Sequence, residues 1–115
     1  MNSRTWKRAE SDAARIIGGR RVFQKFSAGD AESDTFVADA KKRKTYTQRA
    51  MRDDLEKLAS NPEANGRIAV LVLFDTPGTG RRSGEPMVVM TETAFRKLRA
   101  EVIASFPTVP KKVTE

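Results

Sequence analysis

Apolar residues recur along this chain with two kinds of spacing, which together predict three helices and four strands. Intervals of three and four residues are typical of a helix with one buried face, and short apolar runs are typical of strands. The predicted helices cover residues 4–17, 46–60 and the segment after Thr91, and the predicted strands cover 21–26, 35–41, 68–74 and 87–90. We therefore expect an α/β fold in the order α-β-β-α-β-β-α, with a mixed central sheet flanked by helices.

The same spacing predicts which helical side chains face the core. These residues are Trp6, Ala9, Ala13, Ile16 and Ile17 in the first helix, Ala50, Met51, Leu55, Leu58 and Ala59 in the second, and Phe95, Leu98, Val102 and Ile103 in the third. A chain of 115 residues has room for one domain with its own core. We expect that domain to cover residues 1–106, followed by a loose tail over 107–115.

Composition narrows the chemistry that this chain can perform. It has no cysteine and no histidine, so any metal site must be built from oxygen ligands, which favours magnesium, manganese or calcium. The 22 Lys and Arg residues outnumber the 15 Asp and Glu residues, which gives a formal net charge of +7. Such an excess favours a polyanionic partner, most often nucleic acid. The chain shows neither an apolar signal core nor a membrane-length apolar run, so we expect an intracellular, cytoplasmic protein with no membrane partner.

The sequence Asp39-Ala40-Lys41, at the end of a short apolar run, is the most informative local feature. Side chains two residues apart on a strand share a face, so Asp39 and Lys41 should project together on the side of Val37. An acid beside an ammonium can hold a divalent cation and stabilise a reacting phosphate. The tripeptide is common by chance, so its value depends on whether further carboxylates converge on it.

Two other segments offer such carboxylates. Glu10 falls within the apolar stripe of the first helix. Burying a carboxylate there lowers the stability of the fold unless a cation or a hydrogen-bond donor pairs with it. A salt bridge to an arginine and a metal site explain its position equally well. Asp30 stands in the Ser, Gly and Asp-rich turn before the strand, where Glu32 and Asp34 compete with it for the role of a metal ligand.

Basic residues are concentrated in a few segments. The candidate phosphate contacts are Arg20, Arg21, Lys42, Arg43, Lys44, Arg81 and Arg82. The last two belong to the loop 75–86, which lacks the lysine and the following helix of an ATP-binding phosphate loop. A loop that touches a phosphate backbone and a simple hairpin tip are both compatible with its composition.

Taken together, these residues resemble the PD-(D/E)xK nuclease superfamily, and within it the small phage-encoded Holliday-junction-resolvase-like endonucleases. Glu10 lies eight residues before the run Gly18-Gly19-Arg20-Arg21-Val22, and Asp30 lies nine residues before Asp39-Ala40-Lys41. Later segments at 68–74, 75–86 and 88–98 also have counterparts in that family, so the resemblance covers about residues 6–105. Gly29 departs from the family's proline before the first Asp, and Asp39 is the shorter of the two permitted acids.

The resemblance implies a single restriction-endonuclease-like domain and a Mg²⁺-dependent endonuclease, with Mn²⁺ as a possible substitute. It implies catalytic roles for Glu10, Asp30, Asp39 and Lys41. Asp30, Asp39 and the Ala40 carbonyl would hold the metal, and Glu10 would bind a second metal or a water beside it. It further implies DNA as the partner, branched or four-way junctions as the preferred substrate, and a homodimer. A nicking or homing-type endonuclease and a non-catalytic nucleic-acid-binding protein on the same scaffold are the alternatives.

Overall fold

The architecture is taken from a computed structural model, which describes residues 3–22, 29–42, 45–75 and 84–105. These residues form three α-helices, α1 (Ser3–Ile16), α2 (Gln48–Ser60) and α3 (Glu92–Ser105), a single 3-10 turn (Pro62–Ala64), and five strands, β1 (Arg20–Arg21), β2 (Ala31–Glu32), β3 (Phe36–Lys41), β4 (Ile68–Leu73) and β5 (Met87–Val89). No helix within these ranges is long and apolar enough to cross a bilayer.

The strands form one mixed sheet in the order β1-β2-β3-β4-β5. β3 and β4 are parallel, and every other neighbouring pair is antiparallel. The predicted α/β class is therefore confirmed, but the described residues contain one strand more than expected. β2 lies inside the segment 27–34 that was predicted to be a turn. The polar segment around β2 predicts a turn, but pairing of β2 with both β1 and β3 outweighs its weak intrinsic preference for a strand.

Helices cover both faces of the sheet. α1 and α3 lie on one face, where they pack on Ala38, Ala40 and alternate residues of β4, and α2 lies on the other, against Val37. Side chains alternate across β3 as its sequence predicts. Ile68 and the four residues that follow it in β4 are buried, so this strand is the covered central strand that its apolar run predicts.

The helix faces of α1 and α2 largely follow the prediction. Ala9 and Ala13 are fully buried on α1, and Leu55 and Leu58 are buried on α2. The prediction that Ala59 faces the core is wrong, because its side chain is exposed at the end of α2. The side chain of Trp6, the later part of the predicted first strand and the tail 107–115 lie outside the described residues.

The inward face predicted for α3 is wrong in most of its positions. Leu98 packs against the core, but Phe95, Val102 and Ile103 are 54%, 46% and 52% exposed. α3 packs on the sheet through Ala94 and Leu98, which occupy only one side of its apolar stripe. The adjoining edge strand β5 has three residues, so the sheet offers too little width to cover the rest of the stripe.

Gly29 controls how the chain enters β2. Its φ is +70°, and a Cβ atom built there would lie 2.5 Å from the carbonyl oxygen of Ala38 and 3.1 Å from Leu58. A proline requires a φ near −65°, so proline does not fit this backbone. Glycine at position 29 instead lets the chain lie close against β3.

We expect Gly29→Ala to lower the free energy of unfolding more than Gly66→Ala does. Both glycines have a positive φ, at which alanine costs about 1–2 kcal/mol. A Cβ atom added at Gly66 would have nothing within 4 Å, whereas one added at Gly29 meets the Ala38 carbonyl. Overpacking of this kind adds about 1–3 kcal/mol. Urea denaturation of the two variants measures the difference, and equal losses would contradict the close approach.

Candidate functional site

The Asp30 side chain lies directly beside β3. The backbone N–H of Ala40 donates a hydrogen bond of 2.9 Å to Asp30 Oδ2. Asp30 comes just before Ala31, which pairs with Ala38 on β3. Ala40 is the next residue of β3 whose N–H points toward β2, and the Asp30 carboxylate accepts the hydrogen bond of that N–H. The carboxylate therefore lies at the edge of the sheet, level with the Asp39-Ala40-Lys41 segment.

Asp39 and Lys41 project on the face of the sheet that α2 covers, as their spacing from Val37 predicts. Lys41 Nζ lies 3.9 Å from Asp54 Oδ2 on α2, and both side chains are about one-fifth exposed. The Tyr46 hydroxyl donates a hydrogen bond to the same oxygen of Asp54. The ammonium of Lys41 is thus held between the end of β3 and the second turn of α2.

Asp54 and Tyr46 were not among the predicted site residues. Tyr46 packs against the buried cluster on the α2 side of the sheet and also donates the hydrogen bond to Asp54. A signal for Asp54 was present in the sequence. It lies three residues after Met51 and four before Leu58, so it interrupts the apolar stripe of α2 just as Glu10 interrupts that of α1.

Burial makes both strand-associated carboxyl groups harder to ionise. It raises the pKa of Asp30 from 3.8 to about 6, with smaller increases from Asp39 and Glu10 and opposing effects of the Ala40 N–H and Lys41. Burial also raises the pKa of Asp39, and the nearby Lys41 ammonium partly offsets this rise. Burial thus disfavours the charged form of both carboxyl groups, and a cation bound between them would favour that form.

Glu10 lies near this pair but has its own cation. Arg21 Nη2 donates a hydrogen bond of 2.8 Å to Glu10 Oε1, and both side chains are less than one-quarter exposed. The sequence left open a salt bridge to an arginine or a metal site, and the structure shows the salt bridge. Glu10 remains close enough to raise the pKa of Asp30, so the two carboxylates share one electrostatic environment.

The donor atoms at the sheet edge fit a small hard cation only in part. Asp30 and Asp39 supply carboxylate oxygens, and Mg²⁺ can be held by one or two carboxylates together with waters. The Ala40 N–H points toward Asp30, and the carbonyl of a strand residue points to the same side as its N–H, so that carbonyl also lies on the Asp30 side of β3. Within the described residues, no three acidic side chains form a group that could hold a metal ion.

The acids that compete with Asp30 lie elsewhere. Asp34 is exposed in the turn between β2 and β3, at the opposite end of β3 from Lys41. Glu32 is engaged by two guanidinium groups, those of Arg20 at 2.8 Å and Arg67 at 3.3 Å. Of the three acids in the predicted turn, Asp30 is therefore the one placed beside the Asp39-Ala40-Lys41 segment.

The predicted phosphate contacts are divided between exposed, paired and undescribed positions. Arg20 is largely exposed and pairs with Glu32, whereas Arg21 is mostly buried and pairs with Glu10. Lys42 is half-buried and directly follows Lys41. The remaining candidates lie outside the described residues, and they are Arg43, Lys44, Arg81 and Arg82.

Comparison with known proteins gives no assignment. No protein-family model matches the chain, and it matches neither a curated protein nor a solved structure.

Asp30 should make the stability of the protein depend on pH. Its pKa of about 6 in the folded chain lies above the ordinary 3.8, so the folded state loses stability as pH rises between these values and levels off above them. Asp30→Asn keeps a hydrogen-bond acceptor without the charge. We expect its free energy of unfolding, relative to the unmodified protein, to increase from pH 4 to pH 7.

Chemical denaturation at several pH values measures this difference. Asp34→Asn is the matched control, because it removes one negative charge from an exposed turn and should show no such trend. A constant difference between Asp30→Asn and the unmodified protein across this range would contradict the burial of a charged Asp30.

Proposed function

We propose that this protein is a metal-dependent DNA endonuclease of the PD-(D/E)xK type. The observation that carries the proposal is the placement of Asp30 beside the Asp39-Ala40-Lys41 segment, at one edge of a mixed sheet. Two carboxylates, one ammonium and a backbone carbonyl there come from segments separated along the chain. The formal net charge of +7 supports a polyanionic substrate.

The roles of the residues follow from their chemistry. Mg²⁺ bound at the site would supply a Lewis acid that activates water and neutralises charge on the scissile phosphate. Asp30 and Asp39 would hold the ion, with the Ala40 carbonyl as a further oxygen ligand. The Lys41 ammonium would donate hydrogen bonds to the phosphoryl oxygens, on which negative charge increases in the transition state. Glu10, paired with Arg21, would act on the site from the α1 side through its charge.

The preference for substrate is part of the same proposal. No side chain of the described residues forms an evident reader of base edges, so DNA shape is the more plausible determinant. Following the resemblance, we propose cleavage of branched DNA, including four-way junctions, by a homodimer with one site in each subunit. Lys42, which directly follows Lys41, and the exposed Arg20 would contact phosphates outside the site.

A non-catalytic DNA-binding protein is the second candidate, and one observation favours it. In an active nuclease with the expected ligands, Glu10 would serve the metal, yet its Oε1 atom accepts a hydrogen bond from Arg21 at 2.8 Å. If that pair is permanent, the chain keeps the scaffold and the charge but lacks one ligand.

Cleavage assays separate the two candidates. We expect the protein to nick supercoiled plasmid and to cut a synthetic four-way junction with Mg²⁺, and EDTA should abolish both activities. Asp39→Ala and Lys41→Ala should reduce cleavage by at least ~100-fold, because each removes a ligand or charge at the reacting phosphate. Both should retain DNA binding in a gel shift. A gel shift without cleavage by the unmodified protein would favour the non-catalytic candidate.

Asp30→Ala and Asp34→Ala form a matched pair for the identity of the first ligand. We expect Asp30→Ala to lose cleavage and Asp34→Ala to keep it, because only Asp30 lies beside β3. The reverse result would move the site to the other end of the strand.

Metal binding can be measured without DNA. We expect Mg²⁺ or Mn²⁺ to raise the melting temperature by a few degrees at pH 7.5, because an ion bound only by the folded state stabilises it. The shift should be lost in Asp39→Asn and kept in Asp34→Asn. An equal shift in both variants would show that the ion binds away from the proposed site.

A further inference from the structure

Lys41 is connected to α2 through a chain of polar contacts that the proposed cleavage reaction does not itself require. Asp54 Oδ2 lies 3.9 Å from Lys41 Nζ and also accepts the hydrogen bond of the Tyr46 hydroxyl. The three residues belong to β3, to the segment that follows it and to the second turn of α2. They meet on the face of the sheet that carries Asp39.

Asp54, which faces Lys41, and Tyr46, which bonds to Asp54, are both held in place by the fold. The Tyr46 ring packs with Leu55 and Leu58 against the α2 face of the sheet. Thr47 caps α2, since its side chain accepts a 3.1 Å hydrogen bond from the Ala50 N–H. This cap fixes where α2 begins relative to Tyr46, and it therefore also fixes the position of Asp54 along the helix.

The environment makes this contact more specific than a surface ion pair. The side chains of Lys41 and Asp54 are 21% and 20% exposed, so water screens them less than it screens an exposed pair. A lysine has a long flexible stem and three equivalent donors. One donor can face Asp54 while the other two can point toward a phosphate. The Tyr46 hydroxyl donates a hydrogen bond to the same Asp54 oxygen and partly neutralises its negative charge.

We propose that Asp54 and Tyr46 are positioning residues that hold the Lys41 ammonium beside Asp39 at the proposed reaction site. This inference rests on the proposed nuclease function for its catalytic meaning, but the arrangement itself can be tested in the metal-free protein. Asp54 restricts the direction of the ammonium, and Tyr46 restricts the direction of Asp54. Neither residue contacts the reacting phosphate.

The first test measures how accessible the Lys41 amine is. The metal-free protein is treated with a water-soluble acylating reagent at fixed pH, and acylation of Lys41 is followed by mass spectrometry. Loss of the carboxylate frees the amine, so we expect Asp54→Asn to be acylated at Lys41 several-fold faster. Tyr46→Phe should show a smaller increase, and Asp54→Glu should restore a slow rate.

Asp53→Asn is the matched control, because Asp53 is the exposed neighbour on the same helix and loses the same charge. It should leave the acylation rate at Lys41 unchanged. Circular dichroism checks that each variant is folded, and if Asp54→Asn does not fold, Tyr46→Phe decides the question. Unchanged acylation in every folded variant at positions 54 and 46 would overturn the proposal.

The second test uses cleavage of a four-way junction with Mg²⁺. Misplacement of Lys41 should lower kcat by about tenfold to a hundredfold and leave KM nearly unchanged, because Lys41 acts on the reacting phosphate and not on binding at a distance. Asp53→Asn should keep the kcat of the unmodified protein. If the unmodified protein does not cleave, the proposed function fails, and the acylation result still decides the positioning of Lys41. If it cleaves and the variants at 54 and 46 keep its kcat, the positioning role fails alone.

Discussion

The hydrogen bond from the Ala40 N–H to Asp30 Oδ2 is the contact on which the organisation of the sheet edge depends. The last backbone bond from this segment to β3 is donated by the Asp30 N–H to the Ala38 carbonyl, at 2.8 Å. The next amide that points to the same side, that of Ala40, has the Asp30 side chain as its acceptor. A buried amide needs such an acceptor. The same bond therefore completes the pairing of β3 and fixes a carboxylate beside Asp39, and one interaction serves both the fold and the candidate site.

Two ion pairs flank this carboxylate pair from opposite faces of the sheet. Glu10 and Arg21 lie on the α1 side, and Lys41 and Asp54 lie on the α2 side. Partly buried pairs of this kind add little net stability, since the loss of hydration offsets much of their attraction, but they restrict where the charges lie. Asp30 and Asp39 therefore lie between two fixed cations, the Arg21 guanidinium and the Lys41 ammonium. Such an arrangement suits a site that must accept a further cation.

The sequence predicted the parts of this arrangement that depend on local periodicity. The alternation along β3 was sufficient to place Asp39 and Lys41 on one face, and the apolar stripe of α1 was sufficient to place Glu10 near the core. It did not predict β2, because a two-residue segment within a polar stretch becomes a strand only through pairing with neighbours on both sides. It also overestimated the burial of α3, because the periodicity of a helix does not reveal how wide the sheet beneath it is.

For Asp54, the sequence could predict a buried acid but not its partner. The reasoning that singled out Glu10 applies equally to Asp54 in the stripe of α2, and what the sequence could not supply was the partner. An acid within an apolar stripe indicates that some polar group must meet it. Which group does so depends on the crossing of α2 over β3, and that crossing is a property of the assembled core.

The layer between α1 and the sheet is built from alanines. Ala9, Ala13 and Ala14 on the helix meet Ala31, Ala38 and Ala40 on the strands. Methyl groups on both sides allow the helix axis to approach the strands closely, and this short separation brings the Glu10 carboxylate within electrostatic reach of Asp30. A bulkier residue at any of these positions would act as a spacer and weaken the coupling between two acids that it never touches. Residue volume in this layer thus influences one of the charge interactions that act on Asp30.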